Sequence, residues 1–172
     1  MMPLVLLPGM MCDARLFTPQ IERFSRERAV MVGSLTGQNT IEALARDMLA
    51  TAPPVYALAG LSMGGIVAME MIRQAPERVE RLALLDTNPL TDTVEGRALR
   101  DAYIAQVQAG ELAAVMRDEL KPKYLADGPH RKTVLNLCMD MAVDLGARVF
   151  IDQARAIQTR PDQQDSLRQV GV

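Results

Sequence analysis

Four short segments, PLVLLPG, RAVMVGSL, VYALAG and RLALLD, are apolar at nearly every position. A strand with one wet face alternates apolar and polar side chains. Near-continuous apolar runs therefore mark strands covered on both faces. Segments with helical spacing lie between them. NTIEALARDMLATAP can be capped by Asn39 or Thr40 and lines one face with Ile41, Leu44, Ala45, Met48 and Leu49. SMGGIVAMEMIRQAP forms a second helix that stops near Pro76. Strands that alternate with helices need crossover connections. Residues 3–90 are thus predicted to form a doubly wound parallel α/β core, with the second strand at about residues 28–33.

After Pro89 no further apolar strand is visible. Leu99, Tyr103 and Val107 sit at helical spacing before Gly110. Leu112, Val115 and Met116 mark residues 111–120, and Val134, Leu137, Cys138 and Met141 precede Gly146. Residues 147–159 and Asp162 to Val170 add two more helices. The chain therefore divides into a core part, 1–90, and an all-helical part, 91–172, placed as a cap over the sheet edge.

Bulk composition excludes several function classes. The formal net charge is −2, and the basic residues are scattered, which argues against nucleic acid and an anionic membrane surface. The apolar start MMPLVLLPGMMC has no positive flank and is cut by Pro8 and Gly9, so it reads as a buried strand and not a signal peptide. Cys12 and Cys138 make neither a disulfide framework nor a metal spacing, and are expected as buried thiols in a reducing cytosol. There is no histidine cluster for a metal, no G-x-G-x-x-G and no P-loop lysine. A cytoplasmic protein without metal or cofactor is expected. Twelve methionines and no tryptophan point to a pliable apolar interior.

The chemistry concentrates at Gly60-Leu61-Ser62-Met63-Gly64. G-x-S-x-G is a weak pattern alone, but here it joins a buried strand to a helix. The turn is sharp, so Ser62 is expected at positive φ. Its hydroxyl is then pushed out at the C-terminal end of the sheet, where open α/β sheets bind ligands. The following helix aims free N–H groups and a partial positive charge there, suited to an oxyanion.

The segments LVLLPGMMCDARLF, VYALAGLSMGG, APERVERLALLDTNP and the helical stretch after them resemble, in order, the α/β-hydrolase fold superfamily, in its esterase and thioesterase-like branch with a helical cap. The resemblance implies Ser62 as nucleophile. It matches Pro8-Gly9-Met10 to the family's His-Gly-x loop, with Pro8 in place of histidine, and so implies the backbone N–H groups of Met10 and Met63 as the oxyanion hole. The methionine side chains are then free either to line an acyl pocket or to pack in the core. The implied substrate is a small-molecule ester or thioester of a small apolar acyl group, with no cofactor.

Serine also needs a base and an orienting acid, and the family's order is Ser, acid, His. In the family these follow strands beyond the cap. The chain ends at RPDQQDSLRQVGV, so the core is expected to be incomplete, at about four strands, truncated before both residues. The single histidine, His130, is placed on a cap loop. Asp86, at the end of the fourth strand, is the best-placed substitute acid, although a turn role, capping the Asp-Thr-Asn-Pro corner, suits it better; Asp13 and Asp92 are further candidates. RLALLD is expected to form an apolar sheet edge and to promote self-association. Three functions remain open: an impaired serine hydrolase, a non-catalytic binding module or partner-completed fragment, and an enzyme with a rearranged triad of Asp86 and His130.

Overall fold

The computed structural model describes residues 1–171; Val172, the last residue of the expected cap, lies outside them. Strands β1 (Leu4–Leu7), β2 (Val30–Val32), β3 (Tyr56–Leu61) and β4 (Val79–Leu85) form one sheet in the order β2-β1-β3-β4. Every pairing is parallel. The two central strands carry the densest burial: Val5, Leu7, Tyr56 and Leu58 are all essentially inaccessible. The second strand is shorter than its sequence predicts: only Val30–Val32 pair with β1, between Ala29 and Gly33.

Helices α1 (Thr18–Phe24), α2 (Ile41–Thr51) and α3 (Met63–Gln74) follow the first three strands. Thr40, and not Asn39, caps α2, its hydroxyl accepting the Ala43 N–H at 3.2 Å. The α2 face of Ile41, Leu44, Ala45 and Met48 is buried as its spacing predicts. Helix α3 is buried nearly all round, and its residues join β1, β3 and α2 in the main core.

The remaining helices are α4 (Val94–Gln108), α5 (Leu112–Ala114), α6 (Lys121–Tyr124), α7 (Arg131–Gln158) and α8 (Gln164–Gln169). A π-helical turn over Val115–Leu120 joins α5 to α6. Within α7 Gly146 leaves the helical region, with φ 81° and ψ 173°, so the expected break between two helices falls there. A second core of Tyr103, Ile104, Val107, Val115, Met116, Ala142, Phe150 and Ala154 holds α4, the π turn and α7 together. Met11, from the loop after β1, is buried inside that second core. Met10 packs against both cores, so this loop is the joint between sheet and helices.

Strand β4 lies at the end of the sheet, and Leu85 is 46% exposed. Among the described residues no helix is long and apolar enough to cross a membrane.

Candidate active site

Ser62 stands between β3 and α3 with φ 52° and ψ −115°, a conformation that side chains other than glycine resist. Its backbone is held from both sides. The Ser62 N–H donates to the Leu85 carbonyl at 2.9 Å. The Ser62 carbonyl accepts from the Gly65 N–H at 2.9 Å and from the Thr87 hydroxyl at 2.9 Å. The corner requires glycine at two positions. A Cβ on Gly60 would overlap the Gly64 carbonyl, and a Cβ on Gly64 would overlap the Leu7 carbonyl. Ser62 is exposed, and its hydroxyl is not spent on capping α3.

The loop after β1 runs beside this corner: a Cβ placed on Gly9 would lie 3.7 Å from the Ser62 Cβ. The loop turns through a Cys12 N–H to Gly9 carbonyl bond of 3.1 Å, with Met11 at φ 56°. The Met11 N–H donates to the Gln153 side-chain oxygen at 2.8 Å, and the Gln153 amide donates to the Leu35 carbonyl at 2.8 Å. Among the described residues the Met10 N–H has no acceptor. The Met63 N–H opens the first turn of α3, where no intrahelical partner exists. Both N–H groups thus belong to the segments that flank Ser62. The Met63 side chain packs in the main core with no exposure, while Met10 is half-buried.

A cavity of about 300 Å3 opens at Ser62. Its apolar wall includes Leu16, Leu61, Ile66, Met116, Leu120 and Val134; Lys121, Arg100 and Arg160 supply positive charge, and Cys12 and Cys138 supply two thiols. Asp92 is buried behind the arginines, 2.9 Å from Arg100 and 3.9 Å from Arg160. A separate depression of about 380 Å3, between the start of α2 and the helices α4 and α7, includes neither Ser62 nor a thiol in its walls.

The other sequence candidates divide clearly. Asp86 lines the Ser62 cavity, is exposed and has φ 47°. The side-chain bond within its turn comes from Asn88, whose oxygen accepts the Leu90 N–H at 3.1 Å. Asp13 caps the short turn Ala14–Phe17 and chelates Arg15, which holds its carboxyl below the usual carboxylate range. Asp92 is spent on the two arginines. His130 is exposed at the start of α7 and is not among the cavity-lining residues, so the structure does not bring it together with Asp86 and Ser62. Gln153 and Lys121 were not singled out in the sequence. Each is a polar residue at a buried helical position, and that is the only signal they leave.

No family model matches the sequence. An enol-lactonase from Burkholderia xenovorans LB400 superposes with a TM-score of 0.84 at 21% identity, over 99% of this chain and 69% of that one. A thermophilic esterase from Thermogutta terrifontis superposes with a TM-score of 0.82 at 24% identity, over 96% and 66%. The chain has the α/β-hydrolase fold. Within that fold Ser62 stands on the strand-to-helix corner, and residues of the later helices join the loop after β1 in lining the cavity. By sequence, the chain is 30% identical over 93 residues to a pimeloyl-[acyl-carrier protein] methyl ester esterase of Legionella pneumophila (strain Corby), a match spanning 51% of this chain and 39% of that esterase. The chain spans about two fifths of the length of the curated relatives it matches.

Proposed function

We propose that this α/β-hydrolase-fold chain is serine hydrolase-like, and that it binds carboxylic esters or thioesters of small apolar acyl groups. Ser62 is the nucleophile, and the Met10 and Met63 N–H groups receive the oxyanion. One observation carries this reading: a strained, exposed serine faces an apolar-walled cavity between two free backbone donors. The esterase and enol-lactonase neighbours and the methyl ester esterase relatives support an ester as the substrate class. Residues 1–90 supply the nucleophile and oxyanion donors; the helices beyond residue 90 cap the cavity.

Turnover by residues 1–172 alone is impaired on this proposal, because the single histidine of the sequence does not line the cavity. A second reading, a non-catalytic binding module or a fragment completed by a partner, is favoured by that same observation and by the exposed outer strand β4. Self-association along β4, in the cytoplasm, belongs to the same proposal. The deciding experiment is hydrolysis of a short-chain p-nitrophenyl ester by the folded protein, with Ser62→Ala beside it. Turnover that disappears in Ser62→Ala supports the hydrolase. Its absence from folded protein, with apolar ester still bound, supports the binding module.

A further inference from the structure

Lys121 is a buried lysine, 9% exposed, at the start of α6. Its ammonium approaches the Cys12 sulfur at 3.6 Å and the Met10 carbonyl at 3.4 Å. Among the described residues no carboxylate pairs with it. A buried ammonium without a counter-charge is costly, so the site favours an anion beside it. The acidic groups available there are two thiols. Cys12, on the loop after β1, and Cys138, on α7, are both buried and pack in one cluster with Met141.

We propose that Cys12 and Cys138 are a disulfide-forming thiol pair in the wall of the Ser62 cavity, oxidised by hydrogen peroxide and activated by Lys121. The geometry supplies each requirement. The two thiols lie against one another, a cation adjoins them, and both line a cavity wide enough to admit a small oxidant. The hydrogen bond between the thiols, followed by burial, pushes Cys12 above the usual thiol range. The same hydrogen bond, opposed by burial, brings Cys138 down to about 6. On this proposal the pair keeps one proton beside the Lys121 ammonium, and Cys138 attacks as the thiolate.

In the first step the Cys138 thiolate attacks one peroxide oxygen. An S–O bond forms, the O–O bond breaks, and the hydroxide that leaves becomes water with the proton that Cys138 released on ionising. In the second step the Cys12 sulfur attacks Cys138. The S–S bond forms, the S–O bond breaks, and the departing hydroxide takes up the Cys12 proton as water. Overall, two thiols are oxidised and one peroxide is reduced to two waters. The product ties the loop that carries Met10 to the long helix α7, and so joins sheet and cap covalently. The proposal is independent of any activity at Ser62.

The test uses the whole folded chain, with peptide mapping under non-reducing conditions after hydrogen peroxide treatment. The expected result is a linked pair of peptides containing Cys12 and Cys138, absent from Cys12→Ser and Cys138→Ser. In Cys12→Ser, dimedone should trap a sulfenic acid on Cys138. Lys121→Met should slow alkylation of the pair by iodoacetamide at pH 7 roughly tenfold, in proportion to the lost thiolate. The wild-type mapping needs no variant to fold. The proposal is overturned if both thiols of the folded wild type stay reduced and react only in denaturant. It is equally overturned if Cys138 proceeds to sulfinic acid with Cys12 still free, or if folded Lys121→Met alkylates as fast as the wild type.

Discussion

The Gln153 side chain, 1% exposed on α7, accepts the Met11 N–H at 2.8 Å from a loop at the opposite end of the sequence. Its amide nitrogen donates to the Leu35 carbonyl, also at 2.8 Å. One buried amide thus fixes the loop after β1 against the loop after β2. Met11 sits at φ 56°, so its conformation depends on such a tether. Gln153→Leu keeps the bulk and removes both bonds. It leaves a buried N–H and a buried carbonyl without partners, and should cost about 2–4 kcal/mol in urea unfolding.

Ser62 pays a backbone cost with no compensating cap. Its φ of 52° strains any residue with a Cβ, and its hydroxyl does not cap α3. Ser62→Gly should therefore be more stable than Ser62→Ala by about 1–2 kcal/mol. Equal midpoints for the two variants in thermal or urea unfolding would remove the strain from the account. Any labelling of the wild type by a fluorophosphonate probe should be absent from both variants.

Gly64 faces the Leu7 carbonyl so closely that a methyl group has no room. The obstacle is backbone of the central strand, which cannot swing aside. Gly64→Ala should lower the unfolding free energy by about 3 kcal/mol or more. A variant within 1 kcal/mol of the wild type, at about the precision of such measurements, would mean that β1 and α3 slide apart readily.

Glu70 is buried on α3. Burial pushes its carboxyl up, but hydrogen bonds from Arg73, Gln74 and Gln163 outweigh it and hold the group below the usual range. The bond from Gln163 is 2.5 Å and ties the segment before α8 to the core. A depressed pKa means that the stabilisation is fully present above the unfolded value of about 4.3 and is lost as pH falls through the folded value. Stability should therefore decline as the pH is lowered below that point. Glu70→Gln should be less stable at neutral pH and show a shallower acid limb. Identical pH profiles would contradict a charged Glu70.

Much of the core was legible because its signals are local. The run VYALAG and the following SMGG give β3, the corner and the start of α3 within one short window. Gly146 was legible as a break, and its φ and ψ are indeed non-helical. Helix α1 left no usable signal, because Thr18–Phe24 buries none of its residues. The π turn over Val115–Leu120 has the apolar spacing of an ordinary helix and an extra residue that spacing does not reveal. Gln153 and Lys121 were illegible for a different reason. Their partners, Met11, Leu35, Met10 and Cys12, are remote in sequence, and only folding brings them together. Asp86 lies just past the fourth strand, as its sequence position implies, but the side-chain bond in its turn belongs to Asn88.

Two of the bonds that hold the Ser62 backbone, from Ser62 to Leu85 and from Thr87 to Ser62, reach across to the last strand of the sheet and the residues just beyond it. The hydroxyl is thus mounted on the rim that a pairing chain would grip. A chain that paired with β4 would therefore press on the same segment that holds the Ser62 backbone in its positive-φ corner.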